Sequence, residues 1–388
     1  MMMMKLTEND RKMIHQHINY IPRDVSHYSR AKSEKQYLTL DLNIHRLFKA
    51  FLMKNKESSV SYKFYRSVFK RDFPNLSFHR PRVDTCHTCD RLNSEAKQIS
   101  SAGRSATQQL DLRHRKVQQS LEYMKNQTAN SQLPGSEKCC ITFDLQQVLF
   151  VPTLTHSDMF YLSQLSCYNL GIHLSDCNHA FMCMWHEGVS GRGGNEVAST
   201  LLKLLNSGVT QKKHLLLWSD NCAGQNKNRM VIFILVFLAL HEVFETIEYN
   251  FLISGHSFMS CDRNFALIEK RKRVMKAMVP NDLHHVITSA KYDPPFEVID
   301  MSVNGFWDIK EAADTFLNTK TLNISKAVTI KINHKNPTVL HIKETFSEIE
   351  AWKKTNILKK GKTIEDLKYA EIKLLPPVNK ITENKKKS

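Results

Sequence analysis

From residue 139 onward the apolar positions fall into short runs that switch between the spacing of a buried strand and that of a helix. Cys140–Leu145, Leu165–Leu174 and Ala180–Trp185 have the length and apolar density of strands. Gly193–Leu205 is apolar at Val197, Leu201, Leu202, Leu204 and Leu205, which line one face of a helix. Leu215–Trp218 reads as another buried strand, stopped by Ser219-Asp-Asn221 and Gly224. A strongly apolar helix follows over Met230–Val243, then a strand over Glu248–Ser254, then a helix over Arg263–Met278. The predicted order over residues 139–278 is βββαβαβα.

The flanks have a different pattern. Residues 1–75 predict a basic helical region, with helices near Asp41–Met53 (Leu42, Ile44, Leu47, Phe48, Phe51) and Val60–Phe69 (Tyr62, Phe64, Tyr65, Phe69). Two such helices with Tyr, Lys and Arg outside suit either a helix-turn-helix-like DNA reader or a packed helical platform. Residues 76–126 hold a Cys-x-x-Cys pair and a polar, basic helix over Gln108–Asn126. Residues 128–138 are small, polar and turn-rich, as in a linker. Residues 279–375 alternate like strands at Phe296–Ile299, Ala327–Ile332 and Val339–Ile342, predicting a small β-rich appendage. Residues 376–388 form a basic tail ending Lys385-Lys-Lys-Ser388.

Charge narrows the partner class. The 388 residues carry 55 Lys and Arg against 38 Asp and Glu, a net +17, and residues 1–138 hold 25 of the basic and 13 of the acidic residues. That excess favours a polyanion, with DNA ahead of a membrane because no lipid-binding amphipathic anchor is evident. The longest apolar run, Met230–Leu240, is well short of the ~20 residues a membrane span needs. No apolar signal core follows the opening methionines. The expected protein is intracellular and, from its basic tail, nuclear; a second copy of the chain is a further expected partner.

Two constellations carry chemistry. The order βββαβαβα is that of the ribonuclease-H-like fold, and acidic residues fall at its strand ends and last helix. Asp144 lies within the first strand and Asp220 at the end of the fourth. The third carboxylate is either Asp262, in the first turn of the last helix, or Glu269, two turns further along the same face. Converging carboxylates repel one another unless a counter-charge is present. Two Mg²⁺ or Mn²⁺ ions about 4 Å apart would supply it and drive phosphodiester chemistry. The second constellation is Cys86-His-Thr-Cys89, whose tight turn lets two thiolates reach one tetrahedral zinc. His79 and His114 are the expected remaining ligands, with His87 or Cys139/Cys140 as substitutes for the fourth. Two unliganded thiols, or a redox pair, are the competing readings.

The motifs Phe143-Asp-Leu-Gln-Gln147, Tyr168-Asn-Leu-Gly-Ile172, Ser219-Asp-Asn-Cys-Ala-Gly-Gln-Asn226 and Gly255-His-Ser-Phe…Asp262-Arg-Asn-Phe-Ala-Leu-Ile-Glu269 resemble a transposase-like family of invertebrate genomes. Ser26-His-Tyr-Ser29, Val60-Ser-Tyr62 and Phe78-His-Arg-Pro…Cys86-His-Thr-Cys-Asp90 resemble its upstream region. The likeness spans residues 20–375 and departs at Ala223, where a second glycine is expected. It implies a DDE/D-type catalytic domain with Asp144, Asp220 and Asp262 in the acidic positions, performing cleavage and strand transfer of DNA. A domesticated, inactive DNA-binding or scaffolding protein and a structure-specific nuclease are the alternatives.

Overall fold

The computed structural model describes residues 8–21, 24–25, 36–38, 42–78, 86–98, 100–153, 164–318, 320 and 323–376. The basic tail past Pro376, the Ser26-His-Tyr-Ser29 motif, Asp41 and His79 lie outside them. The chain divides into two compact units, residues 1–94 and 95–388.

In the first unit α1 (Glu8–Asn19), α2 (Ile44–Lys54) and α3 (Tyr62–Asp72) enclose an aromatic core including Ile14, Ile18, Phe51, Tyr65 and Phe69. The starts of α2 and α3 are set by caps: Asn43 Oδ1 accepts from Arg46 N at 2.9 Å and Ser61 Oγ from Phe64 N at 3.3 Å. Asp72 ties the bundle together, accepting from Arg11 Nη2 at 2.9 Å and meeting His15 Nε2 at 2.7 Å. Short strands β1 (Asp24–Val25), β2 (Gln36–Leu38) and β3 (Leu76–Phe78) form a small sheet. Then α4 (His87–Ala96) begins within the Cys-x-x-Cys segment.

The second unit opens with α5 (Ser101–Ser131), which is longer than the expected Gln108–Asn126 and takes in the first residues of the expected linker. The reason is tertiary: Gln127 and Ser131 are buried, and Gln127 Oε1 accepts from Trp218 Nε1 at 2.8 Å. Burial against the sheet outweighs the weak helix propensity of Thr128, Asn130 and Ser131.

The core follows as β4 (Lys138–Leu145), β5 (Leu149–Val151), β6 (Leu165–Leu174), β7 (His179–His186), α6 (Gly194–Asn206), β8 (His214–Ser219), α7 (Arg229–Leu240), β9 (Thr246–Phe251) and α8 (Ser260–Lys272). Then come α9 (Pro280–Thr288), β10 (Glu297–Asp300), α10 (Ile309–Phe316), β11 (Thr329–Asn333), β12 (Val339–Lys343), β13 (Lys353–Asn356) and α11 (Ile364–Lys368). Among the described residues one ten-stranded mixed sheet runs β10-β7-β6-β4-β8-β9-β11-β12-β13, with β5 paired to β6. β7, β6 and β4 are antiparallel neighbours, whereas β4, β8 and β9 are parallel. The fold is mixed α/β. The C-terminal strands correct one expectation, because they are not a separate appendage. β10 pairs with β7, and β11 pairs with β9, so all four widen the central sheet. A strand edge offers unpaired N–H and C=O groups, which the later strands satisfy.

Alternation along β4 decides where chemistry can sit. Ile141, Phe143 and Leu145 join the large core with α6 and α7, whereas Cys140, Thr142 and Asp144 point the other way. On that second face α8 packs through Cys261, Phe265 and Ile268. His173 of β6 helps seat it, its Nδ1 lying 3.3 Å from Asn264 Nδ2. Burial, aided by Lys291 and Arg263, pushes the His173 pKa down to about 4. The unfolded chain therefore binds a proton there below about 6.5 that the fold does not. His173 thus contributes stability above pH 6.5 that is lost as pH falls toward 4, up to about 3 kcal/mol. Thermal melts across pH 4–7 should flatten in His173→Gln; an unchanged slope would contradict this role.

Candidate functional site

β4 and β8 are parallel neighbours, with Thr142 opposite Trp218 in register. Two residues beyond this pair lie Asp144, within β4, and Asp220, just past the end of β8, so both sit at the same end of the sheet. Polar groups at the carboxyl ends of parallel strands face a crevice rather than the core. The loop after β8 brings a third group between them. Asn226, fully buried, donates from Nδ2 to Asp144 Oδ1 at 3.1 Å and to Asp220 Oδ1 at 2.6 Å.

Each carboxylate is also held by backbone. Asp144 Oδ1 accepts from Leu145 N at 2.8 Å, and Asp220 Oδ1 from Cys222 N at 3.0 Å. The loop itself is anchored by Tyr249 of β9, whose hydroxyl donates to Asn226 O at 2.8 Å and lies 2.9 Å from Ser219 Oγ. Next door, the buried Lys227 donates to Ser325 O at 3.1 Å and Ala327 O at 2.6 Å. Its burial pushes the ammonium pKa down to about 8.

Asp262 sits in the first turn of α8, its Oδ2 accepting from Met259 N at 2.6 Å. It caps the helix, yet Asp144 feels its charge. Burial, then Asp220 and Asp262, push the Asp144 pKa up to about 7, against the lowering by Leu145 N and Asn226. Asp262 is raised too, by burial and by Asp220. Such mutual repulsion marks carboxylates gathered where a cation would relieve them. The donors are hard oxygens, and Asn226 Oδ1 is buried with no hydrogen-bond partner among the described residues. This donor chemistry fits Mg²⁺ or Mn²⁺.

Glu269 lies elsewhere on α8. Its Oε1 accepts from Gln146 Nε2 at 3.1 Å, and its Oε2 is 3.5 Å from Lys272 Nζ. Gln146 in turn accepts from Asn169 Nδ2 at 2.8 Å. Glu269 is thus part of a hydrogen-bonded network beside the carboxylate pair, and Asp262 is the acid whose charge reaches Asp144. Gly171 makes the approach of α8 feasible. It faces Asp144 across the β4–β6 ladder, and a Cβ there would lie 2.6 Å from the Phe265 ring. Sequence reasoning overlooked Asn226, Gln146 and Gly171. A glycine inside the apolar strand Leu170-Gly-Ile172 is itself a signal of close approach.

Residues 158–348 match a family model described as a domain of unknown function (DUF7869). That segment includes Asp220, Asn226, Asp262 and Glu269 and begins after Asp144. No curated protein and no solved structure matches the chain.

Of the expected zinc ligands, Cys86 and Cys89 are both buried at the start of α4. Cys86 and Cys89 are one helical turn apart, so both thiols can serve one metal ion.

Proposed function

We propose that the chain is a metal-dependent phosphodiester-cleaving protein of ribonuclease-H-like, DDE/D type, derived from a transposase and acting on DNA in the nucleus. One observation carries the reading: Asp144 and Asp220, on adjacent parallel strands, converge on one buried amide, with Asp262 near enough to raise Asp144. The order β4, β6, β7, α6, β8, α7, β9, α8 and the net charge of +17 support it.

Asp144, Asp220 and Asp262 would hold Mg²⁺ or Mn²⁺, which when bound polarises a phosphoryl oxygen and activates water or a 3′-hydroxyl. The protein's own share is positioning. Tyr249 and Lys227 fix the loop carrying Asp220, and Cys261 and Phe265 seat the helix carrying Asp262. Glu269 and Gln146 border the site, joined by their hydrogen bond.

A second reading, a DNA-binding scaffold that does not cut, draws on the Asn226 amide, which already satisfies both carboxylates without a cation. One assay separates the two. Labelled duplex and single-stranded DNA is incubated with protein and Mn²⁺. Cleavage by wild type that is lost in Asp220→Asn favours the enzyme, and binding without cleavage favours the scaffold. A nuclease activity that survives Asp220→Asn would remove this site from the mechanism.

For the Cys86/Cys89 pair, zinc is the proposed ion. Elemental analysis should find one zinc per chain, lost in Cys86→Ser/Cys89→Ser; full zinc in that variant would contradict the assignment.

A further inference from the structure

We propose that Asn226 is itself a ligand of the cation held by Asp144 and Asp220, bound through Oδ1 after its side-chain amide turns over. This rests on the reading of the carboxylate pair as a cation site and adds to it a neutral oxygen donor.

The amide lies at the point the two carboxylates share. Its Nδ2 donates to one Oδ1 at 3.1 Å and to the other at 2.6 Å. A cation taking those same lone pairs would meet the positive end of the N–H dipoles, so this amide orientation and a bound cation are incompatible. The other end of the amide is what the cation needs. Oδ1 is buried and meets no hydrogen-bond partner among the described residues, an unmet acceptor of the kind a folded interior rarely tolerates without use. A half-turn about Cβ–Cγ exchanges the two ends.

The backbone need not move for this. Asn226 N donates to Cys222 O at 2.9 Å, Asn226 O accepts from Tyr249, and Lys227 is bonded to two carbonyls. Only the side chain is left to turn. In one orientation Asn226 bridges the carboxylates and relieves their repulsion. In the other it offers a carbonyl oxygen, and two carboxylates with an amide oxygen form a hard donor set suited to Mg²⁺ or Mn²⁺ rather than to thiophilic ions.

The test is Mn²⁺ binding by calorimetry on the full chain, comparing wild type with Asn226→Ala, Asn226→Asp and Asp220→Asn, each first checked for fold by melting in chelator. Asn226→Ala should weaken Mn²⁺ by about tenfold or more. Asn226→Asp, which keeps an oxygen donor and adds charge, should bind at least as tightly as wild type. Equal or tighter binding by Asn226→Ala, or weaker binding by Asn226→Asp, would overturn the proposal and leave the carboxylate site standing. Should Asn226→Ala fail to fold, the Asn226→Asp comparison decides alone. Wild-type binding that Asp220→Asn leaves unchanged would remove the cation site and this inference together.

Discussion

Asp144→Asn is expected to make the metal-free protein more stable while abolishing metal-dependent cleavage. Burial and two neighbouring acids push Asp144 up to about 7, well above an ordinary carboxyl. Folding therefore favours its protonated form. The contribution is fully present below the unfolded value near 3.9 and is lost as pH rises through about 7. At pH 8 the charged carboxylate costs on the order of 2–4 kcal/mol, reduced by whatever solvent reaches the site. Asparagine removes that cost and keeps an oxygen for the Asn226 amide. The variant should melt several degrees above wild type in chelator at pH 8, with the gap closing toward pH 5. Added Mn²⁺ should raise the melting point of wild type and leave the variant unmoved. A variant that melts below wild type at pH 8 would show that Asp144 stabilises the fold as an ion and is not held under repulsion.

Gly171→Val should unseat α8. The glycine lies opposite Asp144, and a Cβ there would be 2.6 and 2.8 Å from two Phe265 ring atoms. The ring is buried on α8, beside Cys261, which donates from Sγ to Thr142 O at 3.2 Å. A valine must push the helix away, at about 1–3 kcal/mol for overpacking alone. Asp262 would move with it, so cleavage should fall further than stability does. Phe265→Leu in the same chain should recover part of the loss, because the two changes share one contact. Wild-type melting in Gly171→Val would mean that α8 is not pressed against β6 as described.

The core strands and helices were legible because each is an apolar run of the right length, closed by polar or turn residues. β6 shows this, and so does β8, where Leu215–Trp218 gives way to Ser219-Asp-Asn221. The partners of a strand were not legible. Nothing in Thr329–Asn333 says that it pairs with β9, so the later strands looked like an appendage although they extend one sheet. The end of α5 is hard to read from sequence because Thr128, Asn130 and Ser131 are weak helix formers, and burial of Gln127 and Ser131 explains the extra turn. Short elements such as β5 and α11 carry too few residues for any period to register. At the site, aspartates stood out by type and position. Asn226 did not, since an asparagine in a polar loop usually signals a turn, and its role depends on Tyr249, 23 residues further on.

The most direct test is diffraction from crystals of the full chain grown with Mn²⁺, recorded near the manganese absorption edge. An anomalous peak is expected about 2 Å from carboxylate oxygens of both Asp144 and Asp220. A map with manganese elsewhere on the molecule, and none between these two aspartates, would contradict it.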